Sequence, residues 1–261
     1  MAGVHSRARS FDAAARSYEL GRPGWPQQAV DIAAERLGLD RGSAVLDLAA
    51  GTGKLTRALA GRFGSVIAVE PLDGMRAVLA DVVPAARALA GRAEAIPLED
   101  GAVDAVFVAE AYHWFDPGPA VAEIARVLRP EGGVAVLYNR LDWQAQTEPW
   151  RVEADAVFNR HRLPADDVDP QDETPWRTAL ATLGEVHDDT IEHVQRLDLA
   201  GIEALYGSFS RLAGLPPERR DWVLAEIRAV LERHGVRQAE LTYRTEITTA
   251  RRCPNDRPAG H

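Results

Sequence analysis

Residues 44–54 read Ala44-Val45-Leu46-Asp47-Leu48-Ala49-Ala50-Gly51-Thr52-Gly53-Lys54, a short apolar run with one acid inside it and two glycines one residue apart. Bounded by Arg41-Gly42-Ser43 before and by the glycines after, the run predicts a buried parallel strand opening into a helix. Gly51 and Gly53 permit positive φ and lack the Cβ atoms that keep a backbone away from a ligand. The alternative is a tight strand–helix turn that holds nothing. A phosphate-binding P-loop would need a glycine at position 48 and a Ser or Thr at 55, where this chain has Leu48 and Leu55. A dinucleotide fingerprint fits poorly, with Ala49 in place of the first glycine and Thr56 in place of the last small residue.

Outward from this turn, strand and helix signals alternate. A helix is predicted at Pro23–Leu37, with Gly38 as its stop, then a helix at Lys54–Arg62 and a strand at Ser65–Glu70. A helix at Leu72–Val83, a weaker strand at Ala85–Ala90, a strand at Val103–Ala109 and a helix at Pro119–Leu128 follow. Arg129-Pro130-Glu131-Gly132-Gly133 reads as a turn before a strand at Val134–Tyr138. Such alternation implies a doubly wound α/β fold with a parallel sheet. Beyond Asn139, residues 141–180 are polar and Trp-bearing, with a helical stretch near Pro149–Arg160. Val186–Leu197 and Leu241–Ala250 alternate as antiparallel strands do, and helices are expected at Leu199–Leu212 and Pro217–Arg233 between them. The tail Cys253–His261 reads as disordered.

Composition bounds the function. With 261 residues and 46% hydrophobic content, the chain can fill one large α/β core. A net charge of −9 and the absence of a long Lys/Arg cluster disfavour a nucleic-acid partner. The single cysteine, Cys253, suits a reducing cytoplasm, and no stretch approaches the ~20 apolar residues that cross a bilayer. The remaining histidines, among them His5, His161, His187, His193, His234 and His261, show no spacing that makes a metal site. Without an apolar stripe or heptad, monomer and homodimer both stay open.

The acid Glu70 closes the second predicted strand, where its carboxylate can accept both hydroxyls of a ribose; the alternative is a helix-capping acid. The spacing of Asp47, Ala49, Gly51 and Gly53 resembles motif I of class I S-adenosylmethionine-dependent methyltransferases, with Ala49 replacing the first glycine. Further pieces come in the order of one branch of that family, often called type 11 and similar to trans-aconitate methyltransferases and their fungal relatives. They are Phe11-Asp12, Tyr18, Arg22-Pro23, Val69-Glu70-Pro71, Met75, Ala93-Glu94, Pro97-Leu98, Ala111-Tyr112-His113-Trp114-Phe115-Asp116 and Arg126-Val127-Leu128-Arg129-Pro130-Glu131-Gly132-Gly133.

The resemblance implies a Rossmann-like sheet of seven strands, mostly parallel with the last antiparallel. Residues 1–40 would form an N-terminal lid and first helix, and 41–140 the co-substrate core. Residues 141–252 would add cap helices over the acceptor pocket and the last two strands of the same domain. It also implies S-adenosylmethionine as co-substrate, S-adenosylhomocysteine as product and a small-molecule acceptor. The co-substrate would lie against Asp47, Ala49, Gly51, Thr52, Gly53, Glu70, Pro71, Met75, Glu110 and Ala111. The amide of Ala93 and the side chain of Glu94 would meet the adenine, although Arg92 stands where many members carry Asp or Asn. Tyr18 and Arg22 would reach its methionine end, against the alternative that Tyr18 merely packs an amphipathic helix.

Methyl transfer is an in-line displacement driven by positioning, and it needs a base only for a protonated nucleophile. His113 is the candidate base, and the alternative is that His113 and Trp114 only wall the pocket. Tyr112, Trp114, Phe115, Asn139 and Trp143 are candidate acceptor contacts. Two other functions share the fold: a binding module without turnover, and a nicotinamide-dependent oxidoreductase, which the Ala93-Glu94 turn disfavours.

Overall fold

The computed structural model describes residues 10–142, 147–161 and 174–252. Its elements are, in order, α1 (Ser10–Gly21), α2 (Gln27–Leu37), β1 (Ala44–Leu48), α3 (Lys54–Arg62), β2 (Ser65–Val69), α4 (Asp73–Val82), β3 (Arg87–Leu89), β4 (Val103–Ala109) and α5 (Pro117–Val127). There follow β5 (Leu128–Leu141), α6 (Pro149–Arg160), α7 (Thr174–Leu180), β6 (Val186–Asp198), α8 (Leu199–Gly207), α9 (Ser210–Ala213), α10 (Pro217–Arg233) and β7 (Gln238–Arg251). The seven strands are ordered β3-β2-β1-β4-β5-β7-β6, and β1 to β5 pair in parallel. Strand β7 runs the other way: Asp142 N–H donates to Thr242 O and Arg252 N–H to Gly132 O, so one number rises as the other falls. The expected sheet, with its last strand antiparallel, is the observed one.

Strand periodicity explains the two faces. Leu46, Leu48, Val106, Val108, Val134 and Val136 join Ile124 and Val127 of α5 and Trp176 and Leu180 of α7 in one core. Their neighbours Val45, Ala105, Phe107, Ala135 and Leu137 turn to the opposite face, against Ala29, Val30, Ala33, Ala34 and Leu37 of α2 and Leu55 and Leu59 of α3. The described chain forms two compact units. One gathers residues 25–138, 174–191 and 245–252 around these two cores. The other gathers 10–24, 139–142, 147–161 and 192–244, with its own core of Ala154, Val157, Ile202, Leu205, Tyr206, Val223, Ile227 and Leu231.

Four expectations change. The Arg129–Gly133 turn is absorbed into β5: Val103 pairs with Leu128 but Ala105 with Gly133, so residues 129–132 stand opposite Asp104 alone as a wide bulge, with Glu131 at φ 65°. Both Asp104 oxygens lie 2.9 Å from Arg129 Nη1 across it. The single helix expected at Leu199–Leu212 is broken into α8 and α9, because Ser208 Oγ donates back to Leu205 O at 2.7 Å and Phe209 is extended. Helix α7 was not foreseen; burial of Trp176 and Leu180, one turn apart, sets it in the core. The helix expected at Pro23–Leu37 is α2 and starts later, at Gln27 with Pro26 as its N-cap.

Candidate active site

The acid of the glycine turn is sealed in. Because β1 is covered on both faces, Asp47 is only 1% exposed. Its Oδ2 accepts a hydrogen bond from Thr56 Oγ1 at 2.6 Å, whereas Oδ1 is buried without a partner among the described residues. Burial pushes the Asp47 carboxyl up to about 7, against the Thr56 bond and aided by the charge of Glu70.

Glu70 leaves the end of β2 and is also buried. Its Oε2 accepts from Gly51 N–H and its Oε1 from Leu72 N–H, each at 2.8 Å, so one carboxylate joins the glycine turn to the start of α4. The turn is left-handed at Ala49 (φ 59°), Gly51 (φ 57°) and Gly53 (φ 86°). A Cβ on Gly53 would lie 3.0 Å from Leu79 Cγ, so that glycine admits α4. Among the described residues, nothing lies within 4 Å of a Cβ placed on Gly51, which therefore faces open space. Thr52 and Met75 are buried beside the turn, and Pro71 is half-buried.

Two more segments belong to the same unit. Ala93 is buried in the 92–98 turn, and Glu94 Oε1 accepts from Asp116 N–H at 3.0 Å, while Arg92 Nε stands 3.9 Å from Glu94 Oε2. At the end of β4, Glu110 takes φ 55° and donates its N–H to Leu137 O, a conformation that concentrates at binding sites. The chain then passes through buried Ala111 into a 3-10 turn at Tyr112–Trp114. The Tyr112 ring is tilted against Trp176 at 5.4 Å and against Phe115 at 5.2 Å; its buried hydroxyl has no partner among the described residues, and burial raises its pKa. The rings of His113 and Trp114 are 4.4 Å apart. Tyr138 Oη accepts from His113 N–H at 3.3 Å and lies 3.2 Å from His113 Nδ1. Tyr138 and Trp176 escaped the sequence reading, one as an inward strand residue and the other in the polar segment.

Three further candidates lie in the second unit. Tyr18, Arg22 and Asn139 belong to the helical unit. There Arg22 Nε donates to Ser208 Oγ at 2.8 Å and its guanidinium lies 4.4 Å from the Phe209 ring. Trp143 lies outside the described residues, as do His5, His261 and the Cys253–His261 tail. Among the described residues, no group of His, Cys, Asp and Glu side chains gathers as a metal site would.

S-adenosylmethionine carries a sulfonium, an ammonium, a vicinal diol and a flat base. The Glu70 carboxylate held at the glycine turn and the open space over Gly51 match such a ligand. Comparison with known proteins agrees. The family model described as "Methyltransferase domain" matches residues 46–136. A Mycobacterium tuberculosis protein described as an uncharacterized methyltransferase is 45% identical over 59% of this chain, which spans 64% of that relative's length. A methyltransferase-like protein of Schizosaccharomyces pombe is 30% identical over 94% of this chain and 96% of its own. The solved type II methyltransferase from Anaeromyxobacter dehalogenans superposes with a TM-score of 0.64 at 25% identity, covering 88% of this chain and 97% of that one. With its glycine turn, its strand order and a relative matched from end to end, the chain belongs to the class I S-adenosylmethionine-dependent methyltransferases.

Proposed function

We propose that this protein transfers the methyl group of S-adenosylmethionine to a small-molecule acceptor. The bond between Glu70 Oε2 and Gly51 N–H carries this reading, since it holds a buried carboxylate beside a turn glycine whose missing side chain opens onto free space. In it, Glu70 accepts the ribose hydroxyls, the Gly51–Gly53 backbone admits the amino-acid end, and the 92–98 turn receives the adenine through Ala93 N–H and Glu94. When bound, the co-substrate supplies an electrophilic methyl: the acceptor's lone pair bonds to it as the S–CH3 bond breaks and sulfur keeps the electron pair. The protein orients the two and excludes water. His113 and Trp114, ring against ring, wall the reacting space, with Tyr112 and Phe115 behind them. A hydroxyl acceptor would pass its proton to the His113 ring; a carboxylate would need no base. The net charge of −9 supports a small acceptor over a nucleic acid, and the lone cysteine supports a reducing compartment such as the cytoplasm.

Calorimetric titration with S-adenosylmethionine and S-adenosylhomocysteine, on the wild type and on Glu70→Ala, tests the reading. Micromolar binding is expected, weakened at least tenfold in the variant. Equal affinity in both proteins would remove Glu70 from the site. Binding without transfer to any acceptor would favour a binding module, and NAD binding in its place an oxidoreductase.

A further inference from the structure

The 92–98 turn is hung on helix α5 rather than on a strand. Ile96 N–H donates to Glu123 Oε2 at 2.8 Å. Arg126 Nη2 donates to Ile96 O at 2.9 Å, and its Nη1 donates to Leu98 O and to Asp100 Oδ1, both at 2.8 Å. Glu123 holds the same guanidinium in a fork, with Oε1 at 2.7 Å from Nε and Oε2 at 2.8 Å from Nη2. At the other end of α5, the Asp116 amide is taken by Glu94. The helix is itself fixed, since Ala120, Ile124 and Val127 are fully buried in the core. Each nitrogen of Arg126 is therefore spent on the turn or on the residue that shares the turn with it. A lysine, one point charge without the planar fork, cannot make these bonds together.

We propose that Glu123 and Arg126 are positioning residues for co-substrate recognition, fixing the 93–98 backbone in the shape that selects an adenine base. The proposal rests on the reading of this turn as the adenine site. Arg126 acts through the backbone of Ile96 and Leu98, whose placement sets that of Ala93 and Glu94 just before them. A brace of purely structural value would change thermal stability and leave base selection alone.

The test is titration with S-adenosylhomocysteine and with S-inosylhomocysteine, which carries a carbonyl where adenine has its amine. Wild type is expected to prefer the adenine compound. Arg126→Leu should bind S-adenosylhomocysteine roughly tenfold more weakly, by analogy with removal of other orienting partners, and lose most of the preference. Arg126→Lys should recover only part of both. Wild-type affinity and preference in Arg126→Leu, whatever its melting temperature, would overturn the proposal. Should that variant fail to fold, Glu123→Gln keeps the shape and weakens the fork; a reduced preference supports the proposal and an unchanged one sinks it. A wild type that binds both compounds equally would refute base selection by this turn while leaving the co-substrate site intact. If wild type binds neither, the adenine reading falls first and takes the proposal with it.

Discussion

Asp47 sets a pH dependence that a surface acid would not. Its carboxyl is pushed from an ordinary 3.8 to about 7 by burial, so the folded protein keeps a proton that the unfolded chain releases. The sign follows: stability is fully present below 3.8 and is lost as pH rises through about 7. The loss is on the order of 4 kcal/mol at about 1.4 per tenfold change in proton affinity. Urea denaturation between pH 5 and pH 8 should show wild-type stability falling over the interval, while Asp47→Asn stays nearly level. Parallel curves would mean that Asp47 is ionised throughout. Asp47, Gly51, Gly53 and Glu70 were legible because their spacing along strand, turn and strand is rigid. The left-handed φ of Ala49 and Glu110 was not, since neither residue type signals it. Nor was the role of Tyr138, because an inward tyrosine on an apolar strand looks like core until its hydroxyl is seen beside His113.

Among the elements, legibility tracks length and periodicity. α3, α6, α10 and β4 have the limits their apolar pattern predicts, as they carry their own boundary residues. α7 and the bulge of β5 depend on distant neighbours, so no local pattern announces them. α7 is short and is fixed by what it buries: Trp176 is 3% exposed against Tyr112 and Tyr138, and Arg177 Nη2 reaches Asp188 Oδ2 at 2.5 Å. Cutting that side chain back should cost much of the stability of its unit. Trp176→Ala is expected to lose ~3–5 kcal/mol by chemical denaturation, the range for a buried tryptophan. A loss under about 1 kcal/mol would show that α7 is a detachable surface element. The Arg126 brace was hidden for a related reason: an arginine on the polar side of an amphipathic helix looks solvated, and only the fold brings Ile96 and Leu98 to it.

For the whole molecule, the informative feature is the strand order. The two edges are guarded in different ways, β3 by being short and β6 by Asp188, Asp189, Glu192 and Arg196 along its length. β7, made last, lies between β5 and β6, which are made earlier. During synthesis on the ribosome, the nascent chain therefore carries β5 with one side of its apolar run Val134–Tyr138 unpaired until residues 238–251 emerge from the exit tunnel. A chain released after residue 237 should be insoluble or chaperone-bound and unable to bind S-adenosylhomocysteine; a soluble, binding-competent product would refute this. Translation must then pass residue 251 before the sheet closes, and pauses upstream of Gln238 prolong the time in which neighbouring nascent chains can add themselves to β5.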